Sequence, residues 1–289
     1  MVTTWSKAIR CSSSKRSSEV HVDSQPSMLS RMTGESNGER KRYQLRDRDV
    51  CIPLAGGHTL GGYVAEPLEL DQAPGVLVLH EIFGLNADIR RITRRFGEHG
   101  LVALAPNLYD GPGVRSLCVL RTVLGSTTGK GAVFDHLAAA QAALEEIPRC
   151  DSERIAVAGF CLGGGFAILH ALKSSNVRAV APFYGMVPKR SAELAGICPV
   201  VGSFGERDAV FAPQGKRLGR HLRTLGIPHD VKLYPDAGHS FMSQHEPGIT
   251  TSLGKHGPMK VEYHPAAAED AWARMLGFFD AQFATATTR

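Results

Sequence analysis

From about Val50 onward, short apolar runs alternate with stretches whose apolar positions recur every three or four residues. VCIPLAGG and TLGGYVAEP alternate and meet at Gly56-Gly57, which predicts a hairpin. Gly75 to His80 (GVLVLH) is a continuous apolar run, the pattern of a strand buried on both faces. Asn86 is placed to cap a helix running to about His99, with Gly100 as its stop. Leu101 to Ala105 is the next strand. Gly131 to Glu146 is an alanine-rich helix ended by Pro148. Ile155 to Ala158 predicts another buried strand, and Phe166, Ile168, Leu169 and Leu172 give the core face of the helix after it. Further strands are expected over Val177–Tyr184, Cys198–Phe204 and Asp230–Tyr234. A helix over residues 212–225 turns Leu218, Leu222 and Leu225 inward. A closing helix from Ala266 to about Phe283 carries Trp272, Met275, Leu276, Phe279 and Phe283. Residues 110–130 and 240–265 lack periodicity and are expected to be a loop or short helical insertion and a long mobile loop. Strands alternating with helices predict an α/β fold: a mostly parallel sheet, right-handed crossovers and helices on both faces. No repeat or linker interrupts residues 46–289, so one folded domain is expected there.

Residues 1–45 break this pattern. They are rich in Ser, Arg, Lys and Glu and show no period, which predicts a disordered N-terminal extension. The charge follows the same division. Of the net +5 of the 289-residue chain, residues 1–49 carry +4, from ten basic and six acidic residues. The folded part is nearly neutral, which argues against a nucleic-acid surface. The apolar runs are too short to span a membrane, and the N-terminus has no apolar segment of secretory type. Six cysteines without a CxxC pair or zinc-type spacing are expected to be reduced thiols, as in a cytoplasmic protein.

One cysteine stands apart. Gly159-Phe160-Cys161-Leu162-Gly163 lies between a predicted strand and a predicted helix. This is the G-x-S-x-G nucleophile elbow with Cys in place of Ser. The glycines are required because side chains there would collide with the adjoining strand and helix. The helix start supplies free N–H groups and a positive dipole end, which favour an anion at the sulfur.

Two further groups follow predicted strand ends, where ligands bind in such sheets. Asp208 lies in Gly-Glu-Arg-Asp and His239 in Ala-Gly-His-Ser-Phe. The order Cys161, Asp208, His239 is that of α/β-hydrolase nucleophile, acid and histidine. Cys161 would attack an acyl carbon, His239 would carry the proton, and Asp208 would orient the imidazole. Glu206 and Asp236 are rivals for the acid. The oxyanion donors are expected at the N–H groups of Leu162 and Ile82.

Taken together, HEIFGLN, GFCLGGGFAIL, FYG, GERD and YPDAGHSF resemble the dienelactone hydrolase (carboxymethylenebutenolidase) family over roughly residues 50–284. The resemblance implies an α/β-hydrolase fold and a triad of Cys161, Asp208 and His239. It implies that Glu81 contacts the resting cysteine and helps form the thiolate, and that Ile82 and Leu162 donate to the oxyanion. It implies a small ester or lactone substrate, with no cofactor and no metal. The arginines that hold a substrate carboxylate in the founding members have no clear counterpart; Arg115, Arg121 and Arg207 are candidates. His245, His256 and His264 show no metal-ligand spacing. The second reading is a non-catalytic ligand binder or a redox sensor built on Cys161, for which Cys198 is the candidate resolving partner. The oligomeric state is left open.

Overall fold

The computed structural model describes residues 41–110, 131–244 and 254–286. Its frame is an eight-stranded sheet: β1 (Leu45–Pro53), β2 (Thr59–Pro67), β3 (Ala73–Leu79), β4 (Val102–Pro106), β5 (Cys150–Phe160), β6 (Val177–Phe183), β7 (Val200–Gly205) and β8 (His229–Tyr234). The spatial order is β1-β2-β4-β3-β5-β6-β7-β8. The β1–β2 and β2–β4 pairs are antiparallel, and every later pair is parallel. The central strands β3 and β4, and β5 from Ile155 onward, bury nearly all their residues, as their unbroken apolar runs require.

Among the described residues, the helices that flank the sheet are α1 (Ala87–Glu98), α2 (Val133–Glu145), α3 (Leu162–Ala171), α4 (Ala212–Thr224) and α5 (Pro265–Ala286). Helices α1 and α5 share one face and meet through Phe96 and Trp272, whose ring centroids are 4.6 Å apart. Helices α2 and α3 meet on the other face through Phe134 and Phe166. The predicted cap of α1 is present, with the Asn86 side chain accepting from the Ile89 N–H at 3.0 Å. No helix of the described residues is long and apolar enough to cross a membrane.

The structure extends or corrects several expectations. β1 starts at Leu45, before the apolar run, because Arg46 and Arg48 on this edge strand pair with Glu66 across the hairpin. β5 starts at Cys150, before its apolar run, because Cys150 and Asp151 pair with Ala73 and Pro74 ahead of a register shift. A 3-10 turn at Ser191–Leu194 was not expected. Residues 41–45 belong to the fold, with the Tyr43 N–H donating to Glu98 and Leu45 opening β1; the rest of the expected N-terminal extension lies outside the described residues. So does the expected insertion over residues 110–130, apart from Asp110. Cys51 is disulfide-bonded, which overturns the expectation that all six cysteines are thiols; Cys150, Cys161 and Cys198 are free.

The 240–265 stretch is also corrected where it is described. Phe241, Met242 and Ser243 are buried. Residues 257–264 form an arm against the sheet's C-terminal edge. The His239 N–H donates to the Met259 carbonyl, the Glu262 N–H to the His239 carbonyl, and the Ala209 N–H to the Pro258 carbonyl. Backbone groups left at two strand ends find their partners in this arm.

Candidate active site

β5 runs directly into Cys161, and α3 begins one residue later. Cys161 has φ 54° and ψ −112°, a conformation L-residues rarely adopt and one that persists only where the surroundings enforce it. Contacts on both sides do so. The Cys161 N–H donates to the Phe183 carbonyl of β6 at 3.1 Å, and its carbonyl accepts from Gly164 at 3.0 Å. A Cβ on Gly163 would stand 2.2 Å from the Leu79 carbonyl oxygen, and one on Gly159 2.1 Å from the Gly163 carbonyl oxygen. The first turn of α3 is therefore pressed against the end of β3, which leads into Glu81 and Ile82.

Asp208 and His239 leave the ends of β7 and β8 and meet over this elbow. His239 Nδ1 lies 2.6 Å from Asp208 Oδ2, with both residues buried. The other carboxylate oxygen, Oδ1, accepts the N–H groups of Val210 and Phe211, each at 3.0 Å. Both oxygens of Asp208 are thus fixed, and so is the plane it offers the imidazole. The His239 ring packs against Phe211 and Tyr184, with centroid distances of 4.6 Å and 4.9 Å. Burial opposes a charge on this ring. Hydrogen bonds to Asp208 and Cys161 outweigh it and hold the His239 pKa up at about 10. Asp208, not a rival acid, is the partner of His239 Nδ1, and Glu206 faces Lys216 at 3.8 Å.

Glu81 is buried, and its Oε1 accepts the Ser243 hydroxyl at 3.0 Å. Tyr184 Oη stands 3.4 Å from Ser243 Oγ. Burial, then the Glu81 charge, pushes the Tyr184 hydroxyl well above its ordinary pKa, so it stays protonated and can donate onward to Ser243. Ile82 and Leu162 flank the elbow from the end of β3 and the start of α3. Leu162 belongs to the first helical turn, whose N–H groups have no acceptor within the helix.

His80 was not singled out in the sequence. It is fully buried, with Nδ1 2.6 Å from the Glu81 carbonyl and Nε2 accepting the Leu108 N–H at 3.1 Å. These partners define one neutral tautomer, and burial lowers its pKa to about 4. His80 thereby ties the Glu81–Ile82 loop to the end of β4. Ser243 was likewise missed, because its partner is 162 positions away. No group of three or more His, Cys, Asp or Glu among the described residues is arranged to hold a metal ion.

The family model of the dienelactone hydrolases matches residues 60–283. The chain belongs to the dienelactone hydrolase family. A Salmonella typhimurium protein provisionally named carboxymethylenebutenolidase is 31% identical over 242 residues, covering 77% of this chain and 83% of that protein. The solved structure called m3DLH superposes with a TM-score of 0.70 at 26% identity, over 83% of this chain and 99% of that one. A Klebsiella pneumoniae structure provisionally described as a dienelactone hydrolase shares the fold at 24% identity and a TM-score of 0.64, over 82% and 99% of the two chains. Like other members of the family, the chain is a hydrolase with the α/β-hydrolase fold.

Proposed function

We propose that this dienelactone hydrolase family member cleaves a lactone or small ester without a cofactor, through a thioester acyl-enzyme on Cys161. The observation that carries the reading is the buried 2.6 Å contact between His239 and Asp208 beside a cysteine held at φ 54°. The Cys161 sulfur attacks the carbonyl carbon and forms a C–S bond. The oxyanion takes the N–H groups of Ile82 and Leu162. His239 gives its proton to the leaving alkoxide as the C–O bond breaks. It then takes a proton from water, whose oxygen attacks the thioester, and returns a proton to sulfur as the acid departs. Asp208 holds the imidazole through both half-reactions. Glu81, buried and held by Ser243, is assigned to contact with the resting cysteine.

The redox-sensor reading is weaker. Cys198 precedes β7, at the N-terminal edge of the sheet, whereas Cys161 follows the C-terminal end of β5. Through the registers of β6, the two are about six residues apart along the strands, roughly 20 Å at ~3.3 Å per residue. A disulfide needs Cα atoms within about 7 Å. Burial also pushes the Cys198 thiol up to about 12, away from the reactive form.

The test is turnover of a dienelactone and an aryl acetate by wild type and Cys161→Ala. Turnover by wild type alone is expected. Equal turnover by both would remove Cys161 as the nucleophile. No turnover, with Cys161 alkylated by iodoacetamide no faster than an ordinary thiol, would favour the binding-protein reading.

A further inference from the structure

Five large apolar side chains of the described residues are strongly exposed: Leu68, Ile82, Phe83, Met186 and Val210. Their placement is uneven. Ile82 and Phe83, 48% and 52% exposed, stand in the loop after β3, and the Ile82 N–H is itself a proposed oxyanion donor. Met186, 41% exposed, follows β6; its Cβ would be 3.5 Å from a Cβ on Gly165, so it lies over the first turn of the helix that starts at the elbow. Val210, 45% exposed, follows β7, and its own N–H holds Asp208 Oδ1 at 3.0 Å. Four of the five therefore rim Cys161 and His239 at the C-terminal edge of the parallel strands. Leu68 follows β2, whose end pairs with the start of β1, and sits at the opposite edge.

Single exposed apolar residues need no explanation, but four gathered at one catalytic mouth mark a surface made to be covered. Among the described residues, the arginines of the neighbouring segments are engaged with partners of their own. Arg91 pairs with Asp88, Arg190 with Glu193, and Arg207 donates to the Asp236 carbonyl. The other two candidate arginines, Arg115 and Arg121, lie outside the described residues.

We infer that the apolar rim of Ile82, Phe83, Met186 and Val210 is a substrate subsite, and that the preferred substrate carries a neutral aliphatic or aromatic group there in place of a carboxylate. This deepens the proposed hydrolase reading and rests on its assignment of Cys161 as the reactive atom. The rim buries the group as the sulfur approaches the acyl carbon, so discrimination grows with apolar area.

Two measurements test the subsite separately from the hydrolysis. In the first, kcat/KM is followed along p-nitrophenyl acetate, butyrate and hexanoate, with the mono-p-nitrophenyl ester of succinate as the anionic comparison. A rise of about tenfold from acetate to hexanoate is expected, with the succinate ester slowest. In the second, alkylation of Cys161 by N-phenyl iodoacetamide, iodoacetamide and iodoacetate is timed by peptide mass spectrometry against glutathione. The phenyl reagent should be favoured about tenfold more at Cys161 than at glutathione. The exposed-site double variant Met186→Ser/Val210→Ser should lose most of this preference, and Leu68→Ser should keep it. A glutathione-like ratio in wild type, fastest reaction with iodoacetate, or an unchanged ratio in the double variant would overturn the inference. Preferential alkylation by the phenyl reagent without turnover of any ester would instead sink the hydrolase reading and leave the apolar subsite standing.

Discussion

The Ser243 hydroxyl donates to the Glu81 carboxylate at 3.0 Å, joining the loop after β3 to the chain just past His239. Both residues are buried, so the carboxylate has no bulk water to replace this donor. A hydrogen bond to a charged group contributes about 1.5–3 kcal/mol, roughly a 10–100-fold effect on a rate. Ser243→Ala is expected to lower kcat/KM by about tenfold or more, while Ser243→Thr keeps most of the rate. An unchanged kcat/KM in folded Ser243→Ala would mean that Glu81 needs no positioning.

His239 predicts a pH dependence of stability. Its folded pKa of about 10 lies above the ordinary 6.5, so the protonated ring is stabilised by folding. That contribution is complete below pH 6.5 and fades as pH rises through about 10. The difference in unfolding midpoint between wild type and His239→Gln should therefore narrow from pH 6.5 to 10. A constant gap would show a ring already neutral in the folded protein.

His80 predicts the opposite sign. Burial lowers its pKa from 6.5 to about 4, so the unfolded chain takes up the proton first as pH falls. Stability is lost between these values, by about 3 kcal/mol at about 1.4 kcal/mol per unit. In His80→Gln, denaturant unfolding should show a shallower decline from pH 6.5 to 4. Equal slopes would remove His80 as a source of acid sensitivity.

Gly163→Ala tests the elbow itself. The new methyl group would meet the Leu79 carbonyl at 2.2 Å, and backbone atoms on both sides would have to move. A cost of about 3 kcal/mol corresponds to a drop of roughly 6–12 °C in Tm for a domain of this size. Calorimetry measures it, and a loss below 2 °C would mean that α3 is not seated as described.

Local chemistry made most of the frame legible. GVLVLH had to be buried on both faces, Asn86 had to cap, and a cysteine between glycines had to sit at a turn. The spacing of Cys161, Asp208 and His239 placed each past a strand end, and parallel pairing brings those ends together. What stayed hidden depends on distance in the chain. Ser243 and His80 have ordinary local contexts, and their roles come from partners on other strands. The charged start of β1 was hidden for the same reason, since Arg46 and Arg48 are accommodated only once Glu66 faces them. The 257–264 arm has no apolar period because backbone hydrogen bonds hold it in place of a packed stripe.

That arm sets an order of events in the making of the protein. The elbow needs only β3, β5, β6 and α3, all of which precede residue 184. The histidine is anchored by Met259 and Glu262, and the acid loop by Pro258. A nascent chain can therefore shape its cysteine turn long before the base is fixed beside it. The imidazole beside the thiol is held in place only after nearly the whole chain has been synthesised.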